Sequence, residues 1–233
     1  MPYTDTFDQI DFNMTRDSAF SYQCNACSRC CHHKGIRVSP YEILRLARHL
    51  GISTTEFIAQ HTEAGGTMLR GSEDNDSACI FLTPKGCGVH PDRPLVCRIY
   101  PLGRWVDTDG RESFGHMAPH PQTAGIYGND ATVAGYLRHQ GLAPYFEISD
   151  RYGEVYKRML EALERHDPEE LEKRASRRVD VDNTEPGIVA SPWIDIDAAV
   201  ADFCAARGRP IPADIEATVA LHIEAIDAWV ASM

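Results

Sequence analysis

A chain of 233 residues with 43% hydrophobic content is long enough for one ordinary globular core with a small appended lobe. Its formal net charge of −11 works against nucleic acid and anionic membranes as partners, because long-range fields repel both. No apolar run approaches a membrane span, and residues 1–8 lack the basic and apolar regions of a signal peptide. The chain therefore reads as cytoplasmic, where thiols stay reduced and clustered cysteines favour metal or redox chemistry over disulfides.

In chain order, residues 1–20 form a poorly patterned lead-in. Gly35 to Ser39 reads as a short strand. Ser39, Pro40 and Glu42 make a capping box with proline at the first helical position, and Ile43, Leu46, Ala47 and Leu50 continue as one helical stripe stopped by Gly51. Ser53 and Glu56 open a second helix through about His61. This pair looks like a DNA-reading helix-turn-helix, with Ala47 in the first helix, Gly51 at the turn and Phe57 in the second. Yet Thr54 to Thr62 carries Glu56 and neither lysine nor arginine, so a structural pair supporting a metal lobe is the better reading.

Residues 62–77 read as loop, and the acid run Glu73 to Asp76 lacks EF-hand spacing. Cys79 to Leu82 reads as a strand, 84–86 as a turn, Leu95 to Tyr100 as one helical turn, and Gly103 to Gly115 as a hairpin about Asp109-Gly110. Longer helices are expected over 130–140, 144–166, 196–207 and 211–233, with Arg174 to Pro192 as a linker. The fold class expected is mainly α, with a loop-rich cysteine-cluster lobe holding short strands and a hairpin. The expected division is a metal-cluster domain over 1–128 and a helical region over 129–233, with 174–192 linker-like.

The cysteines carry the functional signal. Of eight, Cys24, Cys27, Cys30, Cys31, Cys79, Cys87 and Cys97 lie between residues 24 and 97, and Cys204 stands apart on an apolar helical face, where it reads as core. Cys24 to Cys31 is a C-x2-C-x2-C-C run. Such turns aim sulfurs at one point, and this triple spacing is one that bacterial ferredoxins use to hold irons of one cube. Zinc ribbons instead pair two C-x2-C knuckles, and no second knuckle follows here. Adjacent Cys30 and Cys31 cannot easily reach one small metal. Either a cluster wraps both, or Cys31 serves a second site or a redox role. His32, His33 and His90 stand near enough in sequence to complete a site.

The second block runs Cys79-Ile80-Phe81-Leu82, then Gly86-Cys87-Gly88-Val89-His90, then Arg93-Pro94-Leu95-Val96-Cys97-Arg98-Ile99-Tyr100-Pro101. Together the two blocks resemble the YkgJ-type cysteine-cluster family, also called the zinc- or iron-chelating domain. Val89 departs conservatively from the commoner isoleucine. The resemblance covers Cys24 to about Pro101. It implies an iron–sulfur or metal-chelating protein, and its longer relatives include flagellin lysine N-methylases. Some members carry tyrosine at the position of His90, which weakens His90 as a ligand.

Arg29, Arg93, Arg98 and Lys34 lie within the blocks, placed to offset the charge of clustered thiolates and raise a reduction potential. Pro94 and Pro101 bracket Cys97 and stiffen it; Tyr100 packs. His116 and His120, separated by Pro119, do not form a helical metal pair. No nucleophile elbow, P-loop, zinc-protease helix, dinucleotide fingerprint or radical-SAM C-x3-C-x2-C occurs. The leading expectation is a 4Fe–4S cluster on Cys24, Cys27, Cys30 and one distal cysteine, serving a redox or enzymatic role with an unidentified redox partner or substrate. A structural zinc-binding interaction domain and a cluster-dependent modifying enzyme are the alternatives.

Overall fold

The computed structural model describes residues 10–72, 77–166 and 193–232. In chain order they form β1 (Ala19–Gln23), α1 (Pro40–Leu50), α2 (Thr54–His61), β2 (Thr62–Glu63), β3 (Met68–Leu69), β4 (Gly71–Ser72), β5 (Ala78–Cys79), β6 (Leu82–Thr83) and β7 (Gly86–Cys87). Then come α3 (Leu95–Ile99), β8 (Leu102–Val106), β9 (Glu112–His116), β10 (Ile126–Thr132), α4 (Val133–His139), α5 (Ala143–His166), α6 (Ile196–Arg207) and α7 (Ile215–Val230). The fold is mainly α, and among the described residues the strands occur only as antiparallel pairs. Among the described residues no helix is long and apolar enough to cross a membrane.

The chain divides into two compact units, one from residues 1–37 and 70–145 and the other from 38–69 and 146–233. The second is helical, and its local chemistry follows the expected caps. Ser39 accepts from the Glu42 N–H while Glu42 accepts from the Ser39 N–H, and Ser53 and Glu56 repeat the box on α2. Gly51 closes α1 in the left-handed region at φ 71°. Ile43, Leu44, Leu46 and Ala47 of α1 and Phe57 of α2 are fully buried, joined in this unit's core by Val155, Ile196, Val200 and Val219. Each large side chain so buried stabilises by about 1.5–3 kcal/mol. Cys204 is buried, its Sγ 3.6 Å from the Pro210 carbonyl. The α2 N-terminus is occupied: Asp197 accepts from the Thr54 N–H at 3.0 Å, and Asp195 accepts from the Thr54 and Thr55 hydroxyls.

The first unit holds both cysteine blocks. Its sheet pair β1–β10 sets Tyr22 opposite Tyr127 and Gln23 opposite Ile126. The hairpin β8–β9 pairs Leu102 with His116 through Val106 with Glu112, and Gly110 at φ 78° supplies its turn. Phe20, Phe114, Val133, Tyr136, Leu137 and Leu142 form its core.

Several expectations need correction. Strand β1 lies partly in the expected lead-in, where pairing with β10 orders it. Gly35–Ser39 forms no strand; Ile36 and Val38 are buried, and the Val38 N–H donates to the Thr67 carbonyl. Residues expected to open a helix at 130 belong to β10, because Thr132 caps α4 only from Val133 onward. Cys79–Leu82 is interrupted between β5 and β6. The last helix starts at Ile215, capped by Asp214, rather than at Ile211, since Pro210 and Pro212 restrict the approach. The acid run 73–76 and the linker 174–192 lie outside the described residues.

Candidate metal centre

The first cysteine block is shaped by reversals of backbone hand. Ala26, Ser28 and His33 take φ of 51°, 60° and 52°, a region costing an L-residue about 1–2 kcal/mol each. Strain of this kind concentrates at functional sites. Alternating right- and left-handed residues also turn successive N–H groups into one concavity, a form that accepts anions and iron–sulfur centres. Its consequence appears at the sulfurs. Burial alone would raise the Cys27 thiol, but hydrogen bonds from the Ala124 and Arg29 backbone N–H groups and the Thr123 hydroxyl bring it below its ordinary value. Cys31 follows through a 3-10 turn, Arg29–Cys31, closed by its N–H on the Ser28 carbonyl at 2.9 Å.

The second block reaches the same place by backbone pairing. Strand β5 carries Cys79, and a bridge between His32 and Ala78, with the His33 N–H donating to the Ser77 carbonyl, ties it to the first block. The β6–β7 hairpin presents Cys87 opposite Leu82. Pro94, lacking an N–H, precedes α3, and its carbonyl accepts from the Cys97 and Arg98 N–H groups at 3.0 and 2.9 Å.

Cys30 is the hub. Its thiol is drawn down to about 6, chiefly by a hydrogen bond from the Cys31 thiol, against burial and with help from Lys34 and Arg93. Cys31 is pushed up by the same bond, by burial, and by the charges of Cys30, Cys97 and Cys79. Cys79 is raised by burial and by its neighbours Cys87 and Cys30, against an N–H bond from Phe81. Tyr22 faces Cys24, Cys30 and Cys27. All seven cysteines of the two blocks thus belong to one electrostatic neighbourhood, and none is in a disulfide. Among the described residues, no three His, Cys, Asp or Glu side chains already converge as a metal cage. The donor set itself fits a soft metal: several thiols, one of them readily ionised, with N–H and O–H donors aimed at sulfur.

Lys34 and Arg93 are cations inside this neighbourhood. Lys34 is half-buried, its Nζ sits 4.1 Å from the Tyr100 ring centroid, and burial lowers its pKa while Cys30, Cys97 and Cys31 oppose that shift. Arg93 faces Cys97 and Cys87 and donates to the Gln140 side chain at 2.7 Å. Arg98 donates to the Gln140 carbonyl at 3.0 Å and to the Tyr145 hydroxyl at 3.1 Å, bracing the block rather than covering sulfur. Arg29 has an exposed side chain, and its contribution is the backbone N–H. His90 is exposed in a 3-10 turn, His90–Asp92, with Nδ1 3.2 Å from an Arg93 nitrogen. His116 and His120 are exposed, and His120 accepts from the Gln122 N–H.

One wall of the centre draws only Tyr100 from the cysteine blocks. Tyr22 packs edge-on against Tyr127 at 4.9 Å, Tyr100 at 5.9 Å and Tyr136 at 6.5 Å, and the Tyr136 hydroxyl donates to the Tyr100 carbonyl. Burial raises the hydroxyls of Tyr22 and Tyr100, keeping them as neutral donors beside the thiols. Tyr22 has a faint sequence signal, two residues before Cys24; Tyr127 and Thr123 have none.

Residues 23–119 match the sequence profile of a family, CxxCxxCC, described as "Putative zinc- or iron-chelating domain". This segment is similar to the cysteine-cluster domains that the profile describes. The match takes in both blocks, all seven clustered cysteines and the β8–β9 hairpin, and the family's description supports metal binding by this cysteine-cluster domain. Comparisons with curated proteins and with solved structures return no match.

Proposed function

We propose that the cysteine-cluster domain holds a 4Fe–4S cluster through Cys24, Cys27, Cys30 and one of Cys79, Cys87 and Cys97, and exchanges electrons with a redox partner in the cytoplasm. The observation that carries this reading is the gathering of Cys27, Cys31, Cys79 and Cys97 with Cys30, all of them free thiols, and Lys34 among them. Seven thiols exceed a single tetrahedral zinc site, whereas a cluster with spare thiols uses them. Hydrogen bonds to sulfur and a half-buried cation are what a cluster needs when it takes on further negative charge. Such a cluster, when bound, supplies one-electron chemistry. The chain's own residues do the rest. The left-handed turns at Ala26 and Ser28 orient the first three thiols, Lys34 and Arg93 offset their charge, and the tyrosine wall keeps water from one side. Cys31 remains as a proton donor to Cys30 or as a ligand in a larger assembly.

The test is metal and acid-labile sulfide analysis, with an absorption spectrum, on full-length protein purified without oxygen. About four irons with matching sulfide is the expected result. Stoichiometric zinc without sulfide would sink the redox reading and leave a structural zinc domain.

A further inference from the structure

The segment joining β9 to β10 crosses the first cysteine block. Thr123 Oγ1 lies 4.0 Å from Cys27 Sγ, and the Gly125 N–H donates to that same Oγ1 at 3.0 Å. A hydroxyl carries one hydrogen and two lone pairs. One lone pair accepts from Gly125, and a metal-ligating thiolate has no hydrogen of its own to give, so in the metal-bound state the Thr123 hydroxyl is the donor of this contact. The strap is held on both sides of this contact. The Thr123 N–H donates to the His120 carbonyl at 2.9 Å, and Asn25 Nδ2 donates to the Ala124 carbonyl at 2.8 Å. Gly125 passes against Tyr22 so closely that a Cβ there would stand 2.5 Å from the Tyr22 hydroxyl oxygen. Ile126 then pairs with Gln23, which directly precedes Cys24. Residues 123–125 thus lie in both sequence and family terms outside the motif, whose match ends at 119, yet they touch its second cysteine.

We infer that Thr123 is a positioning residue of the metal centre: its hydroxyl, fixed by Gly125, donates to the Cys27 sulfur and holds that ligand in place when metal is bound. This rests on the ligand role proposed for Cys27. A donor aimed at a ligating sulfur draws off part of its charge, which favours the more negative state of a redox centre and opposes loss of the sulfur from the metal. Groups that orient metal ligands in this way typically change metal affinity by about 10–100-fold when removed.

The experiment uses full-length protein with the metal it carries from anaerobic purification. Wild type, Thr123→Val and Thr123→Ser are compared for the rate of metal loss to excess colorimetric chelator. Valine keeps the shape and removes the hydroxyl; serine restores it. The expected result is release roughly tenfold faster in Thr123→Val, with Thr123→Ser close to wild type. If the metal is an iron–sulfur cluster, its midpoint potential falls in Thr123→Val and recovers in Thr123→Ser. Asn25→Ala, which cuts the exposed tie to Ala124, is the second variant and shifts release in the same direction. Unchanged release in Thr123→Val, or a serine variant as leaky as the valine one, overturns the inference. Zinc without sulfide overturns the iron–sulfur reading and leaves this test intact, because release is read for either metal. A chain that holds no metal overturns both.

Discussion

His222 is fully buried on α7, with its Nδ1 2.8 Å from the Tyr152 hydroxyl of α5 and its ring 6.5 Å from Trp193. Burial lowers its pKa from 6.5 to about 4, against the opposing pull of Asp195 and the Trp193 backbone. Folding therefore favours the neutral imidazole, while the unfolded chain takes up a proton below about pH 6.5. The sign follows: the stabilisation is complete above the unfolded pKa and declines as pH falls toward the folded one, by at most about 1.4 kcal/mol per unit. Between pH 7 and 5 the linkage amounts to about 2 kcal/mol. Urea unfolding followed by tryptophan fluorescence reads it, since Trp193 and Trp229 pack at 5.2 Å beside this site. The control is His222→Asn, whose side-chain oxygen still accepts from Tyr152 but does not titrate. Wild type minus variant isolates His222 from the other histidines. If both proteins lose the same stability over this range, the buried-imidazole reasoning is wrong.

Two further outcomes test the other parts of the structure. Lys34→Gln removes a half-buried cation beside Cys30, Cys97 and Cys31 and, if the bound metal is an iron–sulfur cluster, should lower its midpoint potential by about 59 mV or more, a tenfold shift for one electron; spectroelectrochemistry showing an equal or higher potential would remove Lys34 from the charge balance. Asp197 binds Arg48 through both carboxylate oxygens and caps α2 at Thr54, and although burial raises its pKa these partners hold it below 3.8. Asp197→Ala should lose about 2 kcal/mol in urea unfolding at pH 7. The wild-type contribution is present above pH 4 and is lost as pH falls through the folded pKa, and a variant within about 0.5 kcal/mol of wild type at pH 7 would place Asp197 among ordinary surface charges.

Much of the helical architecture was legible because its signals are local. Ser39 with Glu42, Ser53 with Glu56, and Gly51 between them act within four residues, and the structure reproduces both boxes and the stop. The hairpin about Gly110 and the helical turn that carries Cys97 were readable for the same reason. Elements that depend on distant partners were not. Strand β1 exists because β10 pairs with it across about a hundred residues, and residues 130–132, which read as helix, are drawn into that ladder. Ile36 and Val38 alternate as a strand should, yet they are buried without joining one.

The same division runs through the candidate centre. Cysteine is rare and chemically distinct, so seven at knuckle spacing stand out from any background, and the flanking Arg93 and Lys34 are visible beside them. The groups that act on the sulfurs are of another kind. The donors to Cys27 from Ala124 and Arg29 are backbone N–H groups, which every non-proline residue carries, so side-chain identity gives no hint of them. Thr123 is one ordinary threonine made consequential by a glycine two residues later, because only at Gly125 can the strap pass the Tyr22 ring. A motif therefore identifies the candidate ligand atoms, while the groups that act on them are assembled by the fold. In this chain that assembly depends on β1–β10 pairing, which packs the strap against Tyr22 and brings Thr123 to Cys27.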